Sequence, residues 1–122
     1  MTLAPLVLLG ALSVYHVSDG HNAGLLACGG RLLPSSHHLA IRQWRGRCGA
    51  PAVVCSAATA RCVRTVVLDS GPFGATRDGE WEMQIQLREG WRRRAVVDMT
   101  RAVWTELGRP AALSPVVVWV QP

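Results

Sequence analysis

The segment 52–73 constrains the fold of this chain more than any other part of the sequence. It holds two runs rich in β-branched residues, 51–55 and 62–68, which are separated by a short turn with a cysteine on each side. Valine-rich runs bounded by turn residues are typical of buried β-strands. The segment therefore predicts a β-hairpin whose second strand delivers Asp69 into the turn sequence Ser-Gly-Pro-Phe.

Further short strands are predicted outside this hairpin. The clearest is the run 80–87, in which polar and apolar residues alternate with the period of two that a half-buried strand requires. Gly90 is expected to turn this strand back, so that residues 74–94 form an inserted hairpin. A short turn is expected near residues 39–41. Three more strands are predicted at residues 11–17, 95–98 and 116–120.

One short helix is predicted after the strand that carries Asp98. Thr100 can cap a helix at residues 101–107, and Gly108 and Pro110 would end it. A chain of 122 residues is long enough for one domain with one modest core. Many short strands and one small helix predict an all-β (mainly) architecture that closes into a barrel.

The four cysteines predict two disulfides. Cys55 and Cys62 bracket the turn of the first hairpin, which fits a cross-strand bridge and leaves Cys28 to pair with Cys48. The spacing contains no CxxC pair and no histidine at zinc-finger distance, so neither a structural metal nor a cofactor is predicted. Disulfides indicate an oxidising destination, which is the cell exterior, the cell envelope or the surface of a particle.

Charge and aromatic content narrow the range of partners. The formal net charge is +5, and all 13 basic residues are arginines. The only dense basic cluster is at residues 92–94, whereas a nucleic-acid interface would need a broader basic stripe with a recognition motif. No nucleic-acid partner is therefore predicted. Five of the seven aromatic residues are tryptophans, which serve either as platforms for sugar rings or as packing residues.

The first twelve residues are apolar but do not form a typical export signal. They contain Pro5 and have no arginine or lysine ahead of the apolar run. The run is also shorter than the roughly 20 residues that a membrane-spanning helix needs. We interpret residues 1–12 as a retained apolar strand or docking arm in preference to a signal peptide, followed by one domain at residues 13–122.

Five short motifs follow one another along the chain in a characteristic order. They are Ser13-Val14-Tyr15, Ala27-Cys28-Gly29-Gly30-Arg31-Leu32, Arg47-Cys48-Gly49-Ala50, Val67-Leu68-Asp69-Ser70-Gly71-Pro72-Phe73 and Val97-Asp98-Met99-Thr100. Together they resemble the double-psi β-barrel domain of expansins, barwin-like proteins and rare-lipoprotein-A-like proteins of the cell wall. The resemblance covers about residues 13–120, apart from the insertion at 74–94, and implies a six-stranded barrel with one short helix.

The resemblance also implies a function on cell-wall glycans. Members of this family bind or loosen such glycans, and some bacterial members are lytic transglycosylases of peptidoglycan. Asp69 and Asp98 match the acidic positions of the family, and one carboxyl group can suffice to protonate the leaving oxygen. The catalytic candidates are therefore Asp69 as the acid and Asp98 in an assisting role. The candidates for substrate binding are Tyr15, His37, His38, Phe73 and Trp81.

Each aspartate also has a purely structural interpretation. Asp69 can be the turn residue that holds the Ser-Gly-Pro corner, and Asp98 can accept backbone N–H groups at the start of the helix. The sequence also departs from the family pattern at three places. No histidine lies at residues 41–43, where transglycosylase members carry one; Ser70 replaces an arginine; and Ala60 stands in a turn that ordinarily contains glycine.

These departures leave a second function open. The chain could instead be a non-catalytic component of a bacteriophage particle, in the tail or as a capsid accessory protein. It would then bind other virion subunits through the apolar arm and the inserted hairpin, and its location would be the virion. Peptidoglycan as partner, with an extracellular or cell-envelope location and no membrane span, is the first hypothesis.

Overall fold

The structure, a computed structural model, describes residues 4–15, 25–71 and 95–122. In chain order its elements are β1 (Leu6–Tyr15), β2 (Leu39–Ala40), β3 (Pro51–Ser56), β4 (Arg61–Asp69), β5 (Ala95–Thr100), helix α1 (Arg101–Glu106) and β6 (Pro115–Val120). The strands close into a barrel with the neighbour order β1-β5-β2-β4-β3-β6. The predicted fold, a mainly β, six-stranded barrel with a short helix, is confirmed. The predicted hairpin at 74–94 lies outside the described residues.

The shortest strand completes the barrel. β2 has two residues and lies between β4, to which it runs parallel, and β5, to which it runs antiparallel. The β1–β5 pair is also parallel, and the remaining three pairs are antiparallel. Both neighbours of β2 carry an aspartate, so this strand positions the candidate site. The sequence predicted a turn at residues 39–41, and the structure corrects this to a strand.

The core fills the inside of the barrel. Successive residues of a strand point to opposite faces, so every second side chain of the wall faces inward. In β3, for example, Ala52, Val54 and Ser56 are buried while the residues between them are not. The largest fully buried apolar side chains are Leu12, Leu39, Ile41, Val54, Val67, Val97, Met99, Val103, Leu107, Val118 and Val120.

The N-terminal apolar segment belongs to the barrel wall. β1 begins at Leu6 and pairs with β6 over the register from Leu6↔Val120 to Ala11↔Pro115. It then continues along β5 to Tyr15. Of the two interpretations of residues 1–12, a retained apolar strand or a docking arm, the structure therefore confirms the strand from Leu6 onward, and the boundary at residue 13 falls inside β1. Within the part of the chain that the structure describes, no helix is long and apolar enough to cross a bilayer.

Helix α1 begins where the sequence indicated, but its cap differs from the expectation. Thr100 is the N-cap residue, yet its side chain makes no capping hydrogen bond. Its hydroxyl oxygen instead accepts the backbone N–H of His38 at 3.3 Å. The helix ends at Glu106, one residue earlier than predicted, and buries Val103. Thr100 therefore ties the segment before β2 to the end of β5.

Both predicted disulfides are present. Cys55 and Cys62 are directly opposed in the β3–β4 register, with their Cα atoms 4.0 Å apart. The Cys28–Cys48 bridge joins two loops, and the Cα atoms of the two cysteines are 5.5 Å apart. The first bridge reinforces an existing hairpin, whereas the second holds the loop at residues 25–31 against the rest of the barrel.

The departure at Ala60 has a measurable consequence for stability. Ala60 adopts the left-handed conformation, with φ at 56°. This conformation costs a non-glycine residue roughly 1–2 kcal/mol, which a replacement by glycine would remove. Glycine also has more conformational freedom in the unfolded state, and this lowers the gain in stability by about 0.4–1 kcal/mol. We expect Ala60→Gly to raise the free energy of unfolding by about 0.5 kcal/mol in urea denaturation.

A neighbouring alanine provides the control for this prediction. Ala57 lies in the same turn but not in the left-handed region. Ala57→Gly gains no conformational relief, so it is expected to lower the free energy of unfolding by about 0.4–1 kcal/mol. The strain at Ala60 is contradicted if the two substitutions change stability in the same direction.

Candidate functional site

The two candidate aspartates lie at the same level of the barrel wall, on the two strands that flank β2. Asp69 ends β4, Asp98 lies in β5, and Ala40 of β2 is the register partner of both. Neighbouring strands are spaced by about 4.8 Å, which separates the two aspartate Cα atoms by roughly 10 Å. The barrel therefore brings together two carboxylates that are distant in the sequence.

Asp69 is fixed by backbone donors. Its Oδ1 accepts the N–H of Ala27 at 2.8 Å and the N–H of Ser70 at 2.9 Å. The first of these donors belongs to the loop that the Cys28–Cys48 bridge holds in place, and Cys28 N–H also donates to the carbonyl of Leu68 at 3.0 Å. One oxygen of Asp69 is thus committed to the chain, as a turn residue requires, and the carboxylate is held at the end of β4.

Asp98 is supported from β1. Ser13 is its register partner in the parallel β1–β5 pair, and the Ser13 hydroxyl lies 3.2 Å from Asp98 Oδ1 and 3.3 Å from the carbonyl of Val97. A single hydroxyl proton can serve one of these two acceptors at a time. Asp98 lies within β5, three residues before Arg101 begins the helix.

Tyr15 and His38 form a hydrogen-bonded pair beside the aspartates. The Tyr15 hydroxyl is bonded to Nε2 of His38, and the two rings are tilted at 56° with centroids 5.8 Å apart. His38 is only 1% exposed. Its carbonyl accepts the Thr100 N–H at 3.2 Å, and Thr100 is the register partner of Tyr15. His38 is therefore locked into the wall behind Tyr15.

Electrostatic interactions connect four residues of the site, which are Tyr15, His38, Asp69 and Asp98. The pKa of Tyr15 is raised, first by burial and then by the negative charges of Asp69 and Asp98. The pKa of His38 is lowered by burial, an effect that Asp69 opposes and His37 reinforces. Tyr15 is consequently a neutral phenol and His38 a neutral imidazole at neutral pH. We refer to Tyr15, His38, Asp69 and Asp98 as the Tyr15 cluster.

Of the other predicted binding residues, the structure describes only His37, whose side chain bonds to residues outside this cluster. His37 precedes His38 in the chain but turns to helix α1, where Nε2 lies 2.6 Å from Glu106 Oε2. Its Nδ1 is hydrogen-bonded to the hydroxyl of Thr65 at 2.9 Å. Phe73 and Trp81 lie outside the described residues. In the described ranges, no group of three or more His, Cys, Asp or Glu side chains could hold a metal ion.

Two residues that support the site were not predicted from the sequence as site residues. The sequence indicated Ser13 only as part of a motif and Thr100 as part of a motif and as a helix cap, yet they contact Asp98 and His38 through side-chain oxygens. Ser13 lies on β1, opposite Asp98, and Thr100 lies on β5, two residues after Asp98. The signal that would have identified them is the β1–β5 register, which pairs Ser13 with Asp98 and Tyr15 with Thr100.

No model of a protein family matches the chain, and no curated protein matches it. The fold, in contrast, has clear counterparts among solved structures.

The structural counterparts include bacterial expansins. The apo expansin of Clavibacter michiganensis matches with a TM-score of 0.57 and 15% identity, over 96% of this chain and 51% of that one. A point mutant of that expansin in complex with cellohexaose matches with a TM-score of 0.57, 14% identity and the same coverage of both chains. This chain thus spans about half the length of the expansins it matches.

A Streptomyces protein named as a papain inhibitor also shares the fold. It matches with a TM-score of 0.52 and 17% identity, over 95% of this chain and 96% of that one. Identities this low establish the architecture and not the activity. Together with the closed six-stranded barrel, these likenesses show that the chain has the double-psi β-barrel fold, which it shares with these expansins.

Proposed function

We propose that this chain is a polysaccharide-binding barrel domain directed at cell-wall glycan. The observation that carries the proposal is the position of Tyr15, Asp98 and Asp69 on β1, β5 and β4, within four consecutive strands of the barrel wall. Ionised carboxylates accept hydrogen bonds, and sugar chains present many hydroxyl donors. The expansin solved with cellohexaose supports a glycan as the ligand of this architecture.

The ligand is a β-1,4-linked pyranose chain, with peptidoglycan strands as the first choice and cello-oligosaccharide as the second. Both polymers offer a row of ring hydroxyl groups along an extended chain. Two disulfides support a location in the cell envelope or outside the cell, because such bonds persist in oxidising compartments.

Binding is separate from cleavage in this proposal. A lytic transglycosylase needs a carboxyl group that delivers a proton to the leaving oxygen. Asp69 Oδ1 already accepts two backbone N–H groups, so a proton could come only from Oδ2. Asp98, whose Oδ1 lies 3.2 Å from the Ser13 hydroxyl, is the second carboxyl group that could act as the acid. Cleavage with Asp69 as the acid stays a prediction.

The role as a phage component stays a prediction as well. Part of its motivation was an apolar arm at residues 1–12 that could dock onto another subunit. From Leu6 onward that segment pairs with β6 and β5, so its backbone groups are already used within the barrel. We therefore place glycan binding first.

The test is co-sedimentation of the protein with purified peptidoglycan sacculi and, separately, with cellulose. Asp98→Asn keeps the shape of the side chain but removes its charge, and we expect about 10-fold weaker binding, equivalent to about 1.4 kcal/mol. Asp69→Asn is expected to weaken binding to a similar degree. Glu106→Gln is the matched control, because Glu106 is an exposed carboxylate on α1 whose hydrogen bond goes to His37 and not to a member of the cluster.

Three outcomes of this test are distinguishable. Equal binding by all variants would remove the aspartates from the interface. Failure of the wild type to bind either polymer, combined with inhibition of papain, would favour a role like that of the Streptomyces protein. Release of soluble muropeptides from the sacculi by the wild type, lost in Asp69→Asn or in Asp98→Asn, would establish cleavage and identify the acid.

A further inference from the structure

His38 is placed where it can act on the candidate site without contacting a ligand. Its side chain is almost fully buried, and its Nε2 is bonded to the hydroxyl of Tyr15. Backbone hydrogen bonds to Thr100 fix it on both sides, through its N–H and its carbonyl. A residue held in this way cannot reach a glycan, but it determines what Tyr15 presents.

The direction of the Tyr15–His38 hydrogen bond follows from acidity. A phenol O–H is a stronger acid than the N–H of neutral imidazole, and the imidazole nitrogen is the stronger base. Burial and the two carboxylates keep the phenol neutral, and burial keeps His38 neutral. The Tyr15 hydroxyl therefore donates to Nε2, and the proton of the imidazole resides on Nδ1.

This direction changes the chemistry that the cluster offers to a ligand. With its proton committed to His38, the Tyr15 oxygen has only lone pairs to present, as do the carboxylates of Asp69 and Asp98. If His38 could not accept, the Tyr15 O–H would turn toward one of the carboxylates whose charge it experiences. The carboxylate would then accept the Tyr15 O–H, and it would no longer be available to accept a hydrogen bond from the ligand.

We propose that His38 is a positioning residue, which accepts the Tyr15 proton and thereby fixes Tyr15 Oη as a hydrogen-bond acceptor beside Asp69 and Asp98. The cluster is then a subsite made of hydrogen-bond acceptors. It selects the free hydroxyl groups of a sugar, which can donate a hydrogen bond, over ether and carbonyl oxygens, which can only accept one. This inference rests on the proposed glycan-binding function and names the group of the ligand that the site recognises.

Protonation of His38 reverses the bond, because Nε2 then becomes a donor and frees the Tyr15 proton for a carboxylate. The titratable groups that face His38 are Tyr15 from β1, Asp69 from β4 and the adjacent His37, with Asp98 acting on Tyr15 from β5. Since burial lowers the pKa of His38 from its ordinary 6.5, the reversal belongs to acidic pH. Glycan binding is expected to weaken as the pH falls through this step.

The experiment has a part that needs no ligand. In the ¹⁵N-labelled full chain at neutral pH, NMR of the imidazole nitrogens is expected to show His38 protonated on Nδ1 and unprotonated on Nε2. Addition of cellohexaose should leave that tautomer unchanged. A His38 protonated on Nε2 at neutral pH would overturn the inference whether or not the protein binds glycan.

The second part measures binding of cellohexaose and sacculi by four variants. His38→Leu is expected to weaken binding about 5–10-fold, whereas His38→Gln, whose amide oxygen can accept the Tyr15 proton, should stay within about 2-fold of wild type. Tyr15→Phe and the double variant Tyr15→Phe/His38→Leu should bind alike, because His38 acts only through Tyr15. His38→Gln should also lose the His38-dependent step of the pH profile.

The outcomes separate this inference from the function on which it rests. Wild-type-like binding by a folded His38→Leu, or additive losses in the double variant, would overturn the positioning role while leaving glycan binding intact. If His38→Leu fails to fold, the comparison of His38→Gln with Tyr15→Phe and the pH profile decide. Absence of binding by the wild type would overturn the proposed function and the ligand selectivity, and the tautomer would still decide the direction of the hydrogen bond.

Discussion

Leu39→Ala is expected to lower the free energy of unfolding by about 3 kcal/mol, measured from urea denaturation curves. Leu39 is fully buried, and its register partners Val67 and Met99 are fully buried as well. Truncation leaves a cavity at the point where β2 bridges β4 and β5. Since β2 has only two residues, few other contacts can hold the barrel closed there.

A second leucine in the same connecting segment provides the control. Leu33 is 56% exposed, so Leu33→Ala is expected to change stability by no more than about 0.5 kcal/mol. Leu39→Ala should also weaken glycan binding, because β2 sets the spacing between Asp69 and Asp98. Equal losses of stability in the two variants would show that β2 does not close the barrel as the register implies.

The first hairpin could be predicted from the sequence because its signals are local. Each of its strands has its own β-branched run, and the turn lies between two cysteines. Such runs and a short cross-strand bridge depend on residues close together in the chain, which the sequence displays directly. The same holds for the helix, whose start at Arg101 was predicted correctly.

The sequence left open whether the first residues form a strand or a docking arm, and the reason is physical. Its inward residues Leu8 and Leu12 alternate with outward residues that are also apolar, such as Val7 and Leu9, of which Leu9 is 71% exposed. Alternation is invisible when both faces are apolar, and the segment then reads as an apolar arm. Only the pairing with β6 distinguishes the two interpretations.

β2 could not be predicted because nothing in Leu39-Ala40 demands a strand. Two residues carry no period, and their conformation is set by β4 and β5 on either side. The candidate site depends on this strand, since Ala40 is the common partner of Asp69 and Asp98. The resemblance to a known family indicated the two aspartates, but the bond between Tyr15 and His38 required the register of the folded barrel.

Removing either disulfide is expected to destabilise the protein, with the larger loss at Cys28–Cys48. The two bridges span sequence separations of 20 and 7 residues. In the chain-entropy description, closing loops of these lengths contributes about 3.3 and about 2.4 kcal/mol. In urea denaturation, we therefore expect a larger loss of unfolding free energy in Cys28→Ser/Cys48→Ser than in Cys55→Ser/Cys62→Ser.

The two bridges should differ far more in their effect on glycan binding than in their effect on stability. Cys28–Cys48 holds the loop from which the Ala27 N–H reaches Asp69, so its loss releases one of the two backbone donors on Oδ1. Cys55–Cys62 joins strand residues that remain paired without it, at the opposite end of β4 from Asp69. At a temperature where both variants are folded, we expect Cys28→Ser/Cys48→Ser to bind sacculi about 5–10-fold more weakly and Cys55→Ser/Cys62→Ser to bind as the wild type does. Equal binding by the two variants would mean that the position of Asp69 is set by β4 alone, because the bridged loop would then contribute stability without orienting the carboxylate.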